Sequence, residues 1–300
     1  MKILDGKTTA EQIKKEIAEE VYSMEKGGST PPHIAAIIIG EDPPSKTYVN
    51  AKLNACKHVG FNSTLQEFPA DITQEELMNK IDEFNKSEKI DGYIVQLPLP
   101  VHINEKDILC AIDPYKDIDG LHPYNVGRMM LNMKTILPAT PYGILQLIKR
   151  YRIETFAKHC VVMGRSTIVG SPMSILMKRN TVLGNSTVTL THKYTRNWEK
   201  HAKSADILIT AVGKPGMIKA EHIKEGAVVF DVGITRVKDD TKKNGYKITG
   251  DIDFDSVSNK CSYITPVPGG VGPMTIASLL KNSLFLSKIH RAPETQLESI

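Results

Sequence analysis

The chain has 300 residues, of which 41% are hydrophobic and 24% are charged, so it is long enough for one large domain or two of ordinary size. Its formal net charge of +4 suits anionic small molecules, and no basic run or basic-aromatic stripe indicates a nucleic-acid surface. The longest apolar stretches are too short to span a bilayer, and the N-terminus carries charge where a signal peptide needs an apolar run. The four cysteines are far apart and lack zinc-site spacing, which predicts buried thiols in a reducing compartment, a cytoplasmic location and no metal.

The first part of the chain alternates between helical and strand patterns. Thr8 to Glu11 has the form of a capping box that opens a helix, and Thr73 to Glu76 is a second one. A nearly continuous apolar run predicts a buried strand at 33–39, and further strands are predicted at 62–68 and 91–96. Because strands and helices alternate, we predict a parallel sheet, and ligands collect at the carboxyl ends of such strands.

A helix is predicted between Pro44 and Gly60, and it places Tyr48 and Lys52 one turn apart on the same face. The Lys52 ammonium can favour a phenolate at Tyr48, or a desolvated Lys52 can itself move a proton to or from a reactant. The alternative is an ordinary surface pair on an amphipathic helix. Gln96 ends the third predicted strand, where its amide either binds a ligand or caps backbone groups.

The segment 113–141 has few regular periods, and a long irregular segment in a compact domain is usually functional. It contains Asp117 and Asp119, the latter beside Gly120. The Asp119 carboxylate can accept hydrogen bonds from a ring with N–H donors, or it can close an Asx-turn. The remaining ligands of a calcium loop are missing, so no metal is predicted there.

The second part of the chain has the pattern of a nucleotide-binding domain. It begins with a helix at 142–151, and strands are predicted at 159–163, 186–190, 206–210 and 227–231. The last three end in small or glycine-bearing turns that let a cofactor approach the backbone. The turn 164–172 joins a strand to a helix, an arrangement that binds phosphate, although its glycine spacing differs from the dinucleotide fingerprint. A turn with no ligand is the alternative.

The residues after the second of these strands bear on the choice of cofactor. An enzyme that uses NAD usually has Asp or Glu there, to hold the ribose hydroxyls. This chain has His192 and Lys193 instead, and Arg165 adds a cation from the first turn. The sequence therefore favours NADP over NAD.

The C-terminal part carries three further signals. Residues 238–247 are polar and predict an exposed hairpin or loop. Residues 265–275 contain three glycines and three prolines, which predict a fixed loop that either binds a ligand or simply opens the following helix. Residues 291–300 form a polar tail that we expect to fray.

Seven motifs in this order resemble the family of bifunctional methylene-tetrahydrofolate dehydrogenase/methenyl-tetrahydrofolate cyclohydrolases. The motifs are Ser45-x-x-Tyr48-x-x-x-Lys52, Val95-Gln96-Leu97-Pro98-Leu99-Pro100, Asp117-x-Asp119-Gly120, Pro138-x-Thr140-Pro141-x-Gly143, Gly164-Arg165-Ser166 with Ile168-Val169-Gly170-x-Pro172, Asp231-Val232-Gly233-Ile234, and Pro268-Gly269-Gly270-Val271-Gly272-Pro273-Met274-Thr275. Each motif is weak alone, but seven in order make a specific resemblance.

The resemblance implies an α/β fold of two domains, a parallel-sheet folate domain and a Rossmann-like NADP-binding domain, with a cleft between them. The expected folate-binding catalytic domain is 1–141, completed by a helix at 273–290, and the expected NADP-binding domain is 142–272. It also implies a homodimer and a folate substrate, polyglutamylated forms included, with no nucleic-acid or membrane partner.

The resemblance assigns roles residue by residue. Lys52 matches the family's catalytic lysine, and Tyr48 matches its partner, which stacks against the pterin. Gln96 matches the glutamine that tunes the lysine, and Asp119 matches the carboxylate that holds the pterin ring. We expect these residues to be catalytic and to contact the substrate, together with Val95, Leu97, Pro268, Gly269 and Gly272.

The resemblance also supplies an expected cofactor site. Its residues are Gly164, Arg165, Ser166, Ile168, His192, Lys193, Gly213, Ile234 and Thr275. The chain departs from the family at Ala139, where a cysteine is usual, so that position cannot be needed for chemistry. Lys193 and Tyr194 replace the usual serine and lysine after His192.

The implied activity has two steps. Hydride leaves the methylene carbon for the nicotinamide, and the two flanking folate nitrogens stabilise the cation that forms. Water then opens the methenyl ring to formyl-tetrahydrofolate, which needs a proton transfer for which Lys52 is the candidate. One alternative is a short-chain dehydrogenase, which shares Tyr-x-x-x-Lys but places its Gly-rich turn before that pair. A folate- or nucleotide-binding protein without catalysis is the other.

Overall fold

A computed structural model of the protein describes residues 1–242 and 245–291. Its strands are β1 Lys2–Ile3, β2 His33–Ile39, β3 Asn62–Phe68, β4 Gly92–Val95, β5 His159–Met163, β6 Thr187–Thr191, β7 Ile207–Thr210, β8 Val228–Asp231, β9 Thr235–Lys238, β10 Tyr246–Thr249 and β11 Tyr263–Ile264. Its helices are α1 Gly6–Lys26, α2 Pro43–His58, α3 Gln74–Lys86, α4 Glu105–Ala111, α5 Pro123–Met130, α6 Ala139–Arg150, α7 Gly170–Lys178, α8 Trp198–Ser204, α9 Phe254–Ser258 and α10 Val271–Arg291, with a 3-10 turn at Ala220–His222. Apart from Arg291, which ends α10, the predicted polar tail lies outside the described residues.

The chain divides into two units, and the predicted α/β class is confirmed. One unit comprises Met1–Ala10 and Thr140–Thr275, around a six-stranded parallel sheet in the order β1-β11-β8-β7-β5-β6. The central strands β5, β7 and β8 are buried on both faces, which explains their nearly continuous apolar sequences. The strand order reverses between β5 and β7, and ligands bind at the carboxyl ends of strands at such a point.

The first ten residues group with this six-stranded unit, whereas the expected folate-binding domain was drawn from residue 1. β1 pairs with β11, with Lys2 opposite Tyr263 and Ile3 opposite Ile264. The capping box predicted at Thr8 is wrong, because α1 already begins at Gly6. The side chain of Asp5 accepts the backbone N–H of Thr8 at 2.9 Å, so the cap lies three residues earlier than predicted.

The other unit comprises Glu11–Ala139 and the chain from Ile276 onward, around a three-stranded parallel sheet in the order β3-β2-β4. The predicted strands β2 and β3 are confirmed in full, whereas β4 is one residue shorter at each end than the predicted 91–96. The capping box at Thr73 is confirmed: its hydroxyl accepts the backbone N–H of Glu76, and the Glu76 carboxylate accepts the backbone N–H of Thr73. This cap starts α3, which packs its apolar face into the core beneath the sheet.

The segment that carries Asp119 is held against β4 and α10. The backbone N–H of Tyr93 donates to the Lys116 carbonyl at 2.9 Å, and the Asn282 side chain donates to the carbonyls of Ile118 and Leu137, each at 2.9 Å. A Cβ at position 92 would lie 2.4 Å from a methyl carbon of Ile118, so only glycine lets this segment approach. The loop is therefore rigidly positioned although its sequence is irregular.

The irregular segment also contains a helix that the sequence analysis missed. α5 opens with Pro123, and the imidazole of His122 accepts the backbone N–H of Tyr124 at 3.0 Å. Pro at the first helical position is a recognised start signal, but α5 is only eight residues long and shows too few turns to reveal its period.

The cysteine prediction is confirmed for Cys56, Cys160 and Cys261, which are buried, and is wrong for Cys110, which is exposed. Within residues 1–242 and 245–291, no helix combines the length and apolar character needed to cross a membrane. The same part of the chain has no group of three or more His, Cys, Asp or Glu side chains placed to hold a metal ion.

Candidate active site

Two predicted residues from separate segments, Gln96 and Asp119, lie beside the Lys52 ammonium. The Asp42 side chain caps α2 by accepting the backbone N–H of Ser45 at 2.9 Å. Lys52 lies on the inner face of this helix and is only 7% exposed. Lys52 Nζ lies 3.4 Å from Gln96 Oε1 and 3.8 Å from Asp119 Oδ2. A buried amine with one amide and one carboxylate beside it has the groups that a proton transfer needs.

Gln96 caps a backbone group, as one of the two alternatives predicted, and also faces Lys52. Its Nε2 donates to the Leu97 carbonyl at 2.7 Å, and its backbone N–H donates to the Ile37 carbonyl at 2.9 Å. With the amide nitrogen fixed in this way, Oε1 faces Lys52. The sheet thus fixes the backbone of this residue, and the adjoining turn fixes its side chain.

The two carboxylates of the Asp-x-Asp motif have different surroundings. Asp117 is 3% exposed and closes the turn by accepting the backbone N–H groups of Gly120 at 3.0 Å and His122 at 2.8 Å. Its burial raises the pKa of the Asp117 carboxyl. The Asp119 side chain keeps 26% of its surface exposed, and Lys52 is its one ionic partner among the described residues. The Asx-turn alternative therefore applies to Asp117, and the Asp119 carboxylate is available to a ligand.

Tyr48 lies one turn before Lys52 on α2 and is 39% exposed. Burial raises the pKa of Tyr48, which disfavours a phenolate and favours the alternative in which Lys52 itself moves the proton. The exposed part of the ring remains free to stack on a ligand. Val95 is buried in the core, and Leu97 is half-buried in the turn after β4.

The remaining predicted substrate contacts, Pro268, Gly269 and Gly272, lie in the six-stranded unit. The Gly269 carbonyl accepts the backbone N–H of Lys7 at 2.9 Å. A Cβ on Gly6 would lie 1.7 Å from the Gly270 carbonyl oxygen, so the first turn of α1 packs directly on this loop. The loop is held in place, as its prolines predicted.

A cavity of about 450 Å³ lies at the carboxyl ends of β5, β6 and β7. Its lining residues are Met163, Gly164, Arg165, Ser166, Thr191, His192, Lys193, Trp198, Ala211, Val212, Lys214 and Met217. Of the predicted cofactor residues, Gly164, Arg165, Ser166, His192 and Lys193 are brought together here. Ile168, Gly213, Ile234 and Thr275 lie outside the lining, and the Thr275 hydroxyl lies 3.0 Å from that of Thr140.

The sequence analysis missed Trp198, Lys214 and Met217 as lining residues. Lys214 follows β7 in a turn that the sequence did single out, so its position was a usable signal. Trp198 opens α8 and Met217 follows a loop, and neither stands at a strand end. These two residues reach the cavity through tertiary packing, which produces no recognisable pattern in the local sequence.

Glycine is required where the turn after β5 meets the turn after β7. Gly164 has a φ of +105°, and a Cβ there would lie 2.2 Å from the Ala211 carbonyl oxygen. The Ser166 hydroxyl accepts the backbone N–H groups of Val169 at 3.2 Å and Gly170 at 3.4 Å. Because these two helix-start donors are already bonded, anion binding here depends more on side chains than the sequence analysis expected.

The charges around the cavity fit the extra phosphate of NADP. Arg165, Lys193 and Lys214 line it, and its described lining includes no Asp or Glu. A carboxylate there would hold the ribose hydroxyls of NAD and would repel a phosphate. The donor set thus agrees with the NADP preference predicted from the sequence.

A buried carboxylate positions the turn after β7, which lines the cavity. Asp251 is fully buried, and its two oxygens accept the backbone N–H groups of Val212 at 2.7 Å and Lys214 at 2.8 Å. Asp231 in turn accepts the backbone N–H of Asp251 at 3.0 Å. Burial raises the pKa of both carboxyls, that of Asp231 to about 6.

Comparison with known proteins gives matches along most of the chain. The family model described as "Tetrahydrofolate dehydrogenase/cyclohydrolase, catalytic domain" matches residues 4–119, and the one described as "Tetrahydrofolate dehydrogenase/cyclohydrolase, NAD(P)-binding domain" matches residues 138–291. The bifunctional protein FolD of Flavobacterium johnsoniae is 56% identical over 292 residues, which are 97% of this chain and 99% of that protein.

Solved structures agree with these matches. A bifunctional FolD methylenetetrahydrofolate dehydrogenase/cyclohydrolase from Campylobacter jejuni has a TM-score of 0.90 and 41% identity, covering 96% of this chain and 99% of that one. The corresponding enzyme from Trypanosoma brucei, solved with NADP cofactor and an inhibitor, has a TM-score of 0.89 and 39% identity, covering 95% of this chain and 96% of that one.

Proposed function

Because this chain belongs to the tetrahydrofolate dehydrogenase/cyclohydrolase family, we infer that it oxidises methylene-tetrahydrofolate with NADP and then hydrolyses methenyl-tetrahydrofolate to formyl-tetrahydrofolate. The observation that carries this function is the grouping of Lys52 with Gln96 and Asp119. The short-chain dehydrogenase alternative is wrong, since both halves of the chain match this family. NADP reduction that requires methylene-tetrahydrofolate, together with loss of added methenyl-tetrahydrofolate, tests the two activities.

The dehydrogenase step asks mainly for positioning. Bound NADP supplies the hydride acceptor, and the two nitrogens that flank the donor carbon stabilise the cation left behind. The Asp119 carboxylate is placed to accept hydrogen bonds from pterin N–H groups. The exposed part of the Tyr48 ring offers a face on which the pterin stacks.

The cyclohydrolase step asks for a proton transfer. Water adds to the methenyl carbon and loses a proton, and the folate nitrogen gains one as its bond to that carbon breaks. Lys52 Nζ is the group at this site that can move that proton. Gln96 and Asp119 hold Nζ in place from two sides, so their role in this step is to orient the amine.

We assign folate binding to the unit built on β2, β3 and β4, and NADP binding to the unit built on β5 to β8. The cavity of about 450 Å³ in the second unit supports this assignment, with Arg165, Ser166 and Lys193 as residues that would hold the cofactor. The predicted boundaries of 1–141 and 142–272 remain proposals for the functional domains, with the first ten residues grouped structurally with the NADP unit.

We also propose a cytoplasmic homodimer that accepts polyglutamylated folates. The reduced, buried cysteines Cys56, Cys160 and Cys261 support the compartment. The formal net charge of +4 supports a substrate that carries several carboxylates. The homodimer rests on the family resemblance.

Replacing Arg165 with Ala is expected to raise the KM for NADP about tenfold to a hundredfold and to leave the KM for NAD nearly unchanged. The reason is the loss of a charge-assisted hydrogen bond of roughly 1.5–3 kcal/mol to a phosphate that NAD lacks. Initial rates with each cofactor measure the effect. Arg196→Ala, at an exposed cation outside the cavity lining, is the control and should change neither KM. Equal NAD and NADP constants in the wild type would contradict the charge argument.

Replacing Asp251 with Asn is expected to weaken NADP binding and to lower Tm. Both Asp251 oxygens accept backbone N–H groups, and an amide nitrogen in place of one oxygen would leave a buried donor without a partner. Such a loss costs about 1–3 kcal/mol. Calorimetric titration with NADP and thermal melting measure the two effects, and Asp255→Asn, at an exposed position on α9, is the control. Unchanged NADP affinity would mean that Asp251 does not position the turn.

A further inference from the structure

We propose that Tyr194 is a positioning residue that determines cofactor specificity, because its ring holds Arg165 and Lys193 together at one end of the NADP cavity. This inference rests on the proposed use of NADP. Tyr194 itself lies outside the cavity lining, whereas both cations belong to it. The cofactor site expected from the family resemblance includes its neighbours His192 and Lys193 but does not include Tyr194.

The backbone of Tyr194 is fixed by a short turn that follows β6. The His192 imidazole accepts the backbone N–H of Tyr194 at 3.3 Å, and the backbone N–H of His192 donates to the Thr195 hydroxyl at 2.9 Å. The backbone N–H of Thr195 donates to the His192 carbonyl at 2.8 Å. The turn is held by three hydrogen bonds, and the Tyr194 side chain projects from it with 69% of the residue exposed.

The ring contacts cations from two separate segments. Lys193 Nζ lies 4.9 Å from the ring centroid, and Arg165 Cζ, from the turn after β5, lies 6.0 Å from it. Both distances fall within the range of about 6 Å over which a cation is attracted to an aromatic face. The His192 ring packs edge-on against the same tyrosine at 6.2 Å between centroids.

Neither of these two cations is neutralised by a carboxylate within the described part of the chain. Neither Arg165 nor Lys193 forms an ion pair with another residue in the described ranges, and the cavity lining there contains no carboxylate. Like charges repel each other, and attraction to the same aromatic ring favours keeping both cations beside it. A phosphate of charge about −2 between them removes the repulsion and completes the site.

NADP carries such a phosphate and NAD does not, so the ring is expected to act on the choice between the two cofactors. Without the ring, both long side chains regain rotamer freedom that phosphate binding must then remove. The loss should appear as a higher KM for NADP, since the reacting end of the cofactor is unchanged. An incidental surface tyrosine would instead have no effect on either cofactor.

Two variants distinguish the effect of the aromatic face of Tyr194 from the effects of its hydroxyl group and its side-chain volume. Tyr194→Leu removes the aromatic face, and we expect it to raise the KM for NADP about threefold to tenfold without changing kcat or the KM for NAD. Tyr194→Phe keeps the face and should behave like the wild type. Because the residue is largely exposed, neither change should lower Tm appreciably. Tyr246→Leu is the matched control, since its ring holds Arg236 at 4.8 Å on the β9–β10 hairpin, outside the cavity lining.

A binding measurement makes the test independent of catalysis. Trp198 is the only tryptophan in the chain and lines the cavity, so its fluorescence reports occupation without any folate present. Titration with adenosine 2′-monophosphate and with adenosine compares ligands that differ only in the phosphate. In the Leu variant the phosphate-bearing ligand should lose affinity by the same factor as NADP, and adenosine should not.

Several outcomes would overturn the proposal. Unchanged affinity for the phosphate-bearing ligand in Tyr194→Leu would show that the ring does not position the cations. Equal losses for both ligands would indicate a general disturbance of the cavity, and equal losses in Tyr194→Leu and Tyr194→Phe would point to the hydroxyl. If the protein binds both ligands as expected but turns over no methylene-tetrahydrofolate, the proposed enzyme function fails while the role of Tyr194 stands.

Discussion

Replacing Lys52 with Ala is expected to lower cyclohydrolase activity about 10²–10⁴-fold and to lower dehydrogenase activity far less. Ring opening needs a proton to move, and loss of a positioned acid–base group typically has this effect. Hydride transfer needs no such group, because the folate nitrogens themselves stabilise the developing cation. The two activities should therefore separate in a single variant.

The measurement is kcat for each activity, with NADP reduction followed for the first and loss of methenyl-tetrahydrofolate for the second. Lys57→Ala is the matched control, because Lys57 is an exposed lysine on the same helix, α2. It should leave both activities at the wild-type level. Small and equal losses of both activities in Lys52→Ala would remove Lys52 from the proposed proton transfer.

Replacing Asp119 with Asn is expected to weaken folate binding about tenfold to a hundredfold while NADP binding stays intact. A carboxylate that accepts pterin N–H groups forms charge-assisted hydrogen bonds of roughly 1.5–3 kcal/mol, which a neutral amide cannot match. Calorimetric titration of the same sample with folate and with NADP measures both affinities. Wild-type folate affinity in this variant would exclude Asp119 from the substrate site.

Asp117→Asn is the natural comparison, because it makes the same chemical change two residues away. Asp117 accepts the N–H groups of Gly120 and His122, and an amide cannot accept at both of its terminal atoms. We expect this variant to lose about 1–3 kcal/mol of stability, seen as a lower Tm. A pair of variants in which only Asp117 affects melting and only Asp119 affects folate affinity would separate the turn from the site.

Much of the sheet architecture could be predicted from the sequence, for a physical reason. Strands such as β2 and β5 are buried on both faces, so burial forces continuous apolar runs that are visible in the sequence. β1 has only two residues, both exposed, and its pairing is specified by β11 far along the chain. No local pattern indicates this pairing, so the grouping of the first ten residues with the six-stranded unit could not be predicted from the sequence.

The candidate site also combines features that a local sequence pattern predicts with features that depend on tertiary structure. The approach of Gln96 and Asp119 to Lys52 was expected only from the family resemblance, since nothing local joins segments so far apart in sequence. The difference between Asp117 and Asp119 depends on which side chain the turn buries, and the motif alone does not reveal that. The direction of the Tyr48 pKa shift was missed because it reflects burial, whereas the sequence displayed only the neighbouring charge.

The pairing of β1 with β11 bears on when the protein can finish folding during synthesis. Lys2 and Ile3 leave the ribosome well before their partners Tyr263 and Ile264, which are added about 260 residues later. At roughly 5–20 residues per second, the N-terminal strand waits on the order of 13 to 50 seconds for its neighbour. The other unit also depends on a late segment, because the Asn282 side chain on α10 donates hydrogen bonds to the carbonyls of Ile118 and Leu137. Each half therefore remains incomplete until its C-terminal partner segment, β11 or α10, has emerged.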